Sequence, residues 1–237
     1  MNAVLIFADR KTPGEAKAAL SAVGKVVEFS TKGITYEAIS GHPDIFFCPT
    51  PDGLVVAPNL PEEYLELIIQ RGISFKKGVL PVGNRYPETS RYNALTTGNM
   101  LIHNINFTDT SIVSACPDFE IIHIKQGYTR CNLIALPNGT FITSDHGIEM
   151  KLMKLGKNHL FVDPSKVLLE GTEHGFFGGT CGLFRQTLFV CGSLNYLEEN
   201  EAIGKFVADA GLRIVELYDG PPVDIGTIVF LSLENSR

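Results

Sequence analysis

A hairpin, a helix and a further strand follow one another repeatedly along this chain, with a period of about 45 residues. In each copy, two apolar strand segments flank a short turn, a helix comes next, and a glycine or proline ends the helix before the third strand. Complete hairpins are predicted at residues 42–57, 93–103, 131–143 and 180–191. A single ββαβ unit cannot bury its sheet, so this repetition constrains the chain to a fold in which the units pack side by side.

Turn and helix signals support these boundaries. Asp52-Gly53 and Asn138-Gly139 are turn dipeptides between apolar segments, which indicates two-stranded hairpins. Pro61 and the two glutamates that follow it indicate the first turn of a helix, and Gly72 ends that helix. By the same reasoning, closing strands are predicted at residues 73–79, 119–124, 160–162 and 212–217.

Each end of the chain carries part of a fifth unit. Residues 4–8 and 25–29 predict strands that flank a helix, which begins with a capping box at Thr12-Pro13-Gly14-Glu15. At the other end, a hairpin strand is predicted at residues 224–231, and a unit shared between both ends can form only if the chain closes into a ring. We therefore predict an α/β propeller of five ββαβ blades with pseudo-fivefold symmetry, closed by the N- and C-terminal strands, with residues 1–237 as one domain. The alternative is a two-domain α/β protein with ordinary hairpins.

Composition excludes several classes of partner. The 237 residues carry a net charge of −6, so the chain offers no basic face to nucleic acid. The longest apolar runs are far shorter than the roughly 20 residues of a membrane-spanning helix, and no basic segment precedes the first apolar run. The five cysteines have no CxxC spacing, and no histidines and carboxylates have metal-ligand spacing. We therefore expect a cytoplasmic protein with reduced thiols, no metal, no cofactor and no membrane or nucleic-acid partner.

The stretch formed by residues 173–184 places four glycines and Cys181 between apolar segments. Glycines let a backbone pass close to another group, and their N–H groups can stabilise a developing negative charge, which makes Cys181 a candidate nucleophile. A small buried core cysteine is the alternative reading of Cys181. Cys131, which follows the basic residue Arg130, is a rival candidate.

Polar residues recur where the first strand of each hairpin begins. Aligning the units on their turns places these residues at equivalent positions: Asp44, Asn93, Cys131, Thr180 or Cys181, and Asp224. Equivalent positions of a closed ring converge on its axis, so we expect these side chains to line one cavity, with Arg130 as the alternative to Cys131. Polar strand ends near solvent are the other explanation of the pattern. His42 and His174 each shortly precede an inner strand, so either can supply a base beside that cavity.

With five ββαβ modules, His-Pro-Asp-Ile-Phe-Phe at residues 42–47 and Phe-Gly-Gly-Thr-Cys at residues 177–181, the chain resembles the pentein, or guanidino-group-modifying, fold. That fold includes arginine and agmatine deiminases, dimethylargininases and amidinotransferases, and also a ribosome-binding anti-association factor without a catalytic centre. Its enzymes carry a His-x-Asp motif before an apolar run, matched here by His42 and Asp44, and a glycine-rich segment before a nucleophilic cysteine, matched by Cys181. The carboxylate motif that clamps the guanidinium ahead of His-x-Asp is missing, and His42 lies in the first module instead of a middle one.

The resemblance implies a cysteine-dependent hydrolase or amidinotransferase that acts on a guanidine or amidine compound in an axial pocket. Attack on a guanidinium carbon requires a thiolate, an imidazole that carries protons and carboxylates that hold the cation, which are the roles expected of Cys181, His42 and Asp44. Glycine-rich surroundings and a neighbouring imidazole are expected to lower the pKa of Cys181 below the usual value of about 8.5. The candidates for substrate binding are Asn93, Arg130, Cys131, Glu173, His174 and Asp224.

The alternative function is that of a non-catalytic pentein-fold protein that binds a small ligand or a protein partner. The missing guanidinium clamp favours this alternative. The acidic composition of the chain suits a small cationic ligand in either case.

Overall fold

The computed structural model describes residues 4–232, and the strands of this part of the chain form five three-stranded sheets. The strands are β1 Leu5–Asp9, β2 Lys25–Phe29, β3 Phe47–Thr50, β4 Gly53–Val56, β5 Phe75–Lys77, β6 Leu95–Thr97, β7 Met100–His103, β8 Glu120–His123, β9 Leu133–Leu136, β10 Thr140–Thr143, β11 His159–Phe161, β12 Cys181–Phe184, β13 Thr187–Val190, β14 Arg213–Glu216 and β15 Val229–Leu231. The helices are α1 Gly14–Ser21, α2 Glu62–Gln70, α3 Thr110–Ser114, α4 Thr129–Asn132, α5 His146–Lys154 and α6 Asn200–Asp209.

Every sheet has the same internal order. A hairpin pairs its first two strands antiparallel, and the third strand pairs parallel to the second, as in β3-β4-β5, β6-β7-β8, β9-β10-β11 and β12-β13-β14. A helix connects the second strand to the third because a parallel pair needs a crossover that is longer than a hairpin turn. The predicted ββαβ module is therefore confirmed in each complete repeat.

The fifth sheet joins the two ends of the chain. Strand β15 pairs antiparallel to β1, with Leu5 opposite Leu231, and β1 pairs parallel to β2 across α1. All five residues of β1 are buried, which is typical of a central strand covered on both faces. The ring closure predicted from the two incomplete units is confirmed, and the architecture is the predicted five-bladed α/β propeller.

Aromatic side chains fill the core beside the closing sheet. Phe7 on β1 packs edge-to-face on Phe47 of β3 at 5.0 Å between ring centroids, and Phe29 of β2 packs on Tyr64 of α2 at 4.5 Å. The hydroxyl of Tyr64 donates to the carbonyl oxygen of Ser30 at 3.1 Å, so its polar end is satisfied. These contacts attach the module shared by the chain ends to the next module in the ring.

Three local predictions at the axis and one at a helix start are wrong. Strand β3 starts at Phe47 rather than at residue 42, because residues Pro43–Ile45 form a 3₁₀ turn, and β15 likewise starts only at Val229. Residues 131 and 132 end the short helix α4 instead of starting a strand. The backbone here bonds to neighbouring modules, since the N–H of Asp44 donates to the carbonyl oxygen of Gly226. The capping box also fails, because the Thr12 hydroxyl has no hydrogen-bond partner.

In residues 4–232, each helix is too short or too polar to cross a membrane. The same part of the chain contains no group of three or more histidine, cysteine, aspartate or glutamate side chains arranged to hold a metal ion.

Candidate functional site

Polar side chains from three modules meet at the axis. The thiol of Cys131, in α4, donates to Oδ2 of Asp44 at 2.9 Å, and Nδ2 of Asn93 donates to the Cys131 sulfur at 3.4 Å. Oδ1 of Asn93 accepts the backbone N–H of Arg130 at 2.8 Å and that of Cys131 at 3.3 Å. Asp44, Asn93 and Cys131 are buried, so the predicted convergence of these three positions occurs, but inside a packed polar cluster.

Thr227 connects this cluster to the last module. Its hydroxyl donates to Oδ2 of Asp44 at 2.8 Å, while its backbone N–H donates to the carbonyl oxygen of Gly179 at 2.9 Å. Thr227 has a φ of 62°, which is a strained conformation for a β-branched residue. The two hydrogen bonds hold Thr227 in that conformation against the carboxylate of Asp44. The other carboxylate oxygen, Oδ1, is buried without a hydrogen-bond partner.

The glycine-rich segment packs against Asp224. Oδ2 of Asp224 accepts the backbone N–H of Phe176 at 2.9 Å, and its Oδ1 accepts that of Gly226 at 3.0 Å. A Cβ added to Gly179 would lie 2.0 Å from Asp224 Oδ1, and one added to Gly178 would lie 2.5 Å from the carbonyl oxygen of Cys131. These glycines are therefore required for close packing of the chain on Asp224 and on α4.

His42 lies between two carboxylates. Its Nε2 is 3.8 Å from Oδ2 of Asp9 and 4.0 Å from Oδ1 of Asp224, and it is buried without a hydrogen-bond partner. Burial raises the pKa of both Asp9 and Asp224, and a positive charge on His42 counteracts that rise. Gly226, at a φ of 67°, makes room for the imidazole, because a Cβ there would be 2.4 Å from the ring.

Asp9 and Thr227 were missed by sequence reasoning. Asp9 ends the apolar strand β1, and an acidic residue at that position is the signal that could have identified it. Thr227 sits in an otherwise apolar segment, and nothing in its sequence context indicates a left-handed backbone.

The thiols differ from the expectation for a nucleophile. Cys181 begins β12, and its sulfur lies 3.3 Å from the hydroxyl of Thr180. Burial raises the pKa of Cys181 to about 12, so the expectation of a lowered pKa is wrong. Burial also raises the pKa of Cys131 well above its usual value, and the negative charge of Asp44 adds to this rise. Both groups are protonated thiols at neutral pH.

Glu173 and His174 lie on the loop before the glycine-rich segment. Glu173 is exposed, and Nδ1 of His174 donates to the carbonyl oxygen of Gly175 at 2.8 Å. The ring of His174 packs edge-to-face on Phe176. Among the described residues, neither side chain forms a hydrogen bond or an ion pair with Asp44, Asn93, Cys131 or Asp224. His42 is therefore the histidine that the fold brings to the predicted site.

A cavity of about 350 Å³ adjoins the axial cluster on the side of the inner strands. Arg130, Gly178, Cys181 and Thr227 line its inner end, where Thr227 separates it from Asp44. Of the residues predicted to line one cavity, only Arg130 and Cys181 do so; the buried cluster contains the others: Asp44, Asn93, Cys131 and Asp224. Buried carboxyl groups at the axis thus lie beside a cavity whose wall contains a basic residue, Arg130.

Comparisons with known proteins are consistent with this architecture. Over residues 7–229, the sequence matches the model of a family described as a family of unknown function, DUF6873. No curated protein matches the sequence.

Solved structures provide the clearest likeness. DDAH from Pseudomonas aeruginosa, complexed with citrulline, is 10% identical, with 87% of this chain and 80% of that chain covered and a TM-score of 0.55. SxtG, an amidinotransferase from Microseira wollei in the saxitoxin biosynthetic pathway, is 12% identical, with coverage of 90% and 87% and a TM-score of 0.52. Agmatine deiminase from C. jejuni is 12% identical, with coverage of 70% and 60% and a TM-score of 0.50. Together with the five sheets, these likenesses identify the fold as pentein and carry no information on activity.

Proposed function

This chain belongs to the DUF6873 family and has the pentein fold, and from that premise we propose that it binds a small guanidinium or amidinium cation at the axial acidic cluster. We define this cluster as Asp9, His42, Asp44 and Asp224. The observation that carries the proposal is a pair of buried atoms without hydrogen-bond partners, Oδ1 of Asp44 and Nε2 of His42. Buried polar atoms in proteins are nearly always paired, so an unpaired acceptor beside further carboxylates favours a ligand that supplies donors.

The charges of the cluster favour a cation. Two buried carboxyl groups, those of Asp9 and Asp224, flank the imidazole of His42, and Asp44 is a third buried carboxyl group. Within residues 4–232, no lysine or arginine forms an ion pair with Asp44 or Asp224. An unpaired buried carboxylate costs several kcal/mol unless it is protonated or neutralised. A bound cation would offset that cost, so ligand binding and ionisation of the carboxyl groups would reinforce each other.

A guanidinium or amidinium group suits the acceptors. Such a group is planar and presents several N–H donors in a fixed fork, which matches carboxylate oxygens better than the compact ammonium group does. Oδ1 of Asp44 is the free acceptor, while the oxygens of Asp224 already accept backbone N–H groups. Asp44 is therefore the expected direct contact, and Asp9 and Asp224 contribute mainly through their charge.

We propose that the ligand reaches the cluster past Tyr36 and Tyr128. The exposed Tyr36 shares a hydrogen bond of 3.2 Å between its hydroxyl and that of Tyr128. Burial raises the pKa of Tyr36, and negative charge at Asp224 adds to this rise, as expected for a group close to the cluster. Lys11 forms ion pairs with Glu37 and Glu170 on exposed loops. Separation of Tyr36 from Tyr128 would open a path to Asp44.

Binding is proposed in preference to cysteine-dependent turnover because the thiols are poorly suited to attack. Burial raises the pKa of Cys181 to about 12, and it leaves Cys131 protonated beside a carboxylate. A thiolate, rather than a thiol, is the nucleophile in cysteine catalysis. Turnover by a cysteine-dependent hydrolase or amidinotransferase is therefore the alternative that the experiment below distinguishes from binding.

The proposal predicts that small guanidinium and amidinium ligands stabilise the protein. We expect arginine, agmatine, methylated arginines or benzamidine to raise the melting temperature, whereas the uncharged analogue citrulline does not. Asp44→Asn should weaken binding at least about tenfold, equivalent to about 1.4 kcal/mol, because the free acceptor becomes neutral. Asp52→Asn is the matched control, since Asp52 lies on the exposed β3–β4 turn, and this variant should bind as the wild type does. Differential scanning fluorimetry and isothermal titration calorimetry measure these effects.

Two results would change the conclusion. If none of these cations binds, or if citrulline binds equally well, the acidic cluster is not a cation site. If ammonia or citrulline forms and Cys181→Ser abolishes that activity, the protein is a cysteine-dependent enzyme instead.

A further inference from the structure

The axial cavity is large enough to hold a small molecule. Its volume of about 350 Å³ lies within the usual range of small-molecule pockets, whereas few voids in protein interiors exceed the size of a water molecule. Inner strands β3, β6, β9, β12 and β15 all contribute to its wall. Small residues such as Ala94 and Ala135 line it, so side chains do not fill the space that the strands enclose.

Gly182 keeps two of the inner strands close together. A Cβ at this position would lie 2.6 Å from Cβ of Ile228, in the segment that leads into β15. The cavity therefore persists although β12 and β15 pack tightly against each other. The cavity exists because several of the side chains that line it are small, while the strands around it are closely packed.

Arg130 is the only charged residue in the cavity wall among the residues that the structure describes. Its Nη1 donates to the carbonyl oxygen of Phe47 at 3.1 Å, which uses one of the five N–H donors of the guanidinium. Within residues 4–232, no carboxylate forms an ion pair with Arg130. The guanidinium thus has donors to spare at the inner end of a cavity.

The remaining wall is largely apolar. Leu54, Leu95, Ile134 and Phe230 contribute hydrophobic surface around the cavity. A guanidinium at one end of an apolar pocket matches a planar carboxylate that carries a hydrocarbon body, because the carboxylate accepts two parallel N–H bonds. We propose that this cavity is a second ligand site, which takes a small apolar monocarboxylate with its carboxylate on Arg130.

This site is distinct from the proposed cation site in both position and charge. The hydroxyl of Thr227 lies between them and donates to Asp44 on the side of the acidic cluster. Arg130 repels a guanidinium ligand from the cavity, while Asp44 and Asp224 repel a carboxylate from the cluster. Either site can be present without the other. Titrations with guanidinium ligands and with carboxylates therefore test the two proposals separately.

The proposal predicts selective binding of apolar carboxylates to the full-length protein. We expect octanoate and phenylpropionate to bind, with the matched amides octanamide and phenylpropionamide at least tenfold weaker. Arg130→Met keeps much of the side-chain volume, removes the charge and should weaken carboxylate binding at least tenfold. Lys76→Met is the matched control, because Lys76 lies on β5 outside the cavity and pairs with Asp52. The affinity of this variant for the carboxylates should equal that of the wild type. Isothermal titration calorimetry measures the affinity of the wild type and both variants for the carboxylates and for the amides.

A second variant keeps the test decisive if Arg130→Met does not fold. Ala135→Leu places additional carbon atoms into the cavity without changing charge, and it should abolish carboxylate binding while the guanidinium titration stays as in the wild type. Equal binding of the carboxylates and their amides would overturn the proposal. So would undiminished carboxylate binding by a folded Arg130→Met or Ala135→Leu variant, or the absence of carboxylate binding by the wild type.

Discussion

Cys181 lies where the sequence predicts, after two glycines and at the start of an inner strand, yet its surroundings oppose ionisation. Burial removes the thiol from water, and the hydroxyl of Thr180 is the one polar partner of its sulfur among the described residues. Burial raises the pKa of Cys181 to about 12, and the neighbouring glycines supply no positive charge that would lower it. The same argument applies to Cys131, whose hydrogen-bond acceptor is a carboxylate.

The protonated state of Cys181 predicts slow alkylation. At pH 7.5, a thiol with a pKa of about 12 has a thiolate fraction roughly three orders of magnitude below that of a free thiol with a pKa of about 8.5. Iodoacetamide should therefore label Cys181 in the native protein at least that much more slowly than in the urea-unfolded protein, as followed by peptide mass spectrometry. Labelling of Cys181 near neutral pH at the rate of a free thiol would instead support its role as a nucleophile.

Helix α3 depends on its capping side chain more than on its own length. Helix α3 has only five residues, and Asp109 caps it by accepting the backbone N–H of Ser111 at 2.9 Å. The same carboxylate accepts the backbone N–H of Leu80 at 2.8 Å and the hydroxyl of Tyr92 at 3.0 Å. An isolated helix of this length is unstable in water, so Asp109 stabilises α3 by attaching it to the neighbouring loop.

Loss of this cap should be more costly than loss of an ordinary one. Asp109→Ala is expected to lower the free energy of unfolding by about 3 kcal/mol, because the buried hydroxyl of Tyr92 and the backbone N–H groups of Val79 and Leu80 lose their acceptor together with the cap. The control is Asp145→Ala, which removes the cap of the longer helix α5 and one further hydrogen bond, from Nε2 of Gln126 at 2.9 Å, and should cost about 1 kcal/mol. Urea denaturation measures both values. Equal losses in the two variants would show that the additional donors bound by Asp109 contribute nothing.

The contribution of Asp109 should also depend on pH in a defined direction. Burial opposes its charged form, but the N–H groups of Leu80, Ser111 and Val79 outweigh this effect and hold the pKa of Asp109 below its usual value. A carboxyl group whose pKa is lowered by folding stabilises the protein above its unfolded pKa, and this stabilisation is lost as the pH falls through the folded pKa. The destabilisation caused by Asp109→Ala should therefore be smaller at pH 3 than at pH 7. A difference of the opposite sign would contradict the assignment.

Closure of the ring determines how the whole molecule holds together. The antiparallel pair Leu5 and Leu231 places both ends of the described chain side by side, so no module is terminal. The module that contains β15, β1 and β2 packs through Phe7 and Phe47 against the next one. Stability is therefore expected to depend on the continuity of the ring rather than on the position of the chain ends.

A circular permutant tests this view. A short glycine-serine linker that joins Val4 to Ser232, with new ends between Asn138 and Gly139, should give a folded protein with a melting temperature close to that of the wild type, because that turn is exposed. A permutant opened between Leu133 and Ile134, inside a buried strand, should not fold. Circular dichroism and thermal melting measure both outcomes. Unfolding of the first permutant would contradict closure through β1 and β15.

The sequence by itself determined the modules and their closure. Turn dipeptides, helix ends and alternating apolar residues are local features, so they identify the modules. Two partial modules, one near each end of the chain, can form a complete module only if the ring closes. The same reasoning anticipated that polar residues at equivalent positions meet at the axis, since this follows from symmetry.

Only the tertiary structure decided which of those residues form a cluster and which line a cavity. The hydrogen bond between Asp44 and Cys131 spans 87 residues of sequence, and that between Asp44 and Thr227 spans 183. Such contacts depend on how each turn rotates its side chains toward the axis, which strand alternation does not specify. Burial then sets the protonation of Cys181, Asp9 and Asp224, because the cost of desolvating a charge depends on every neighbouring module rather than on adjacent residues in the chain.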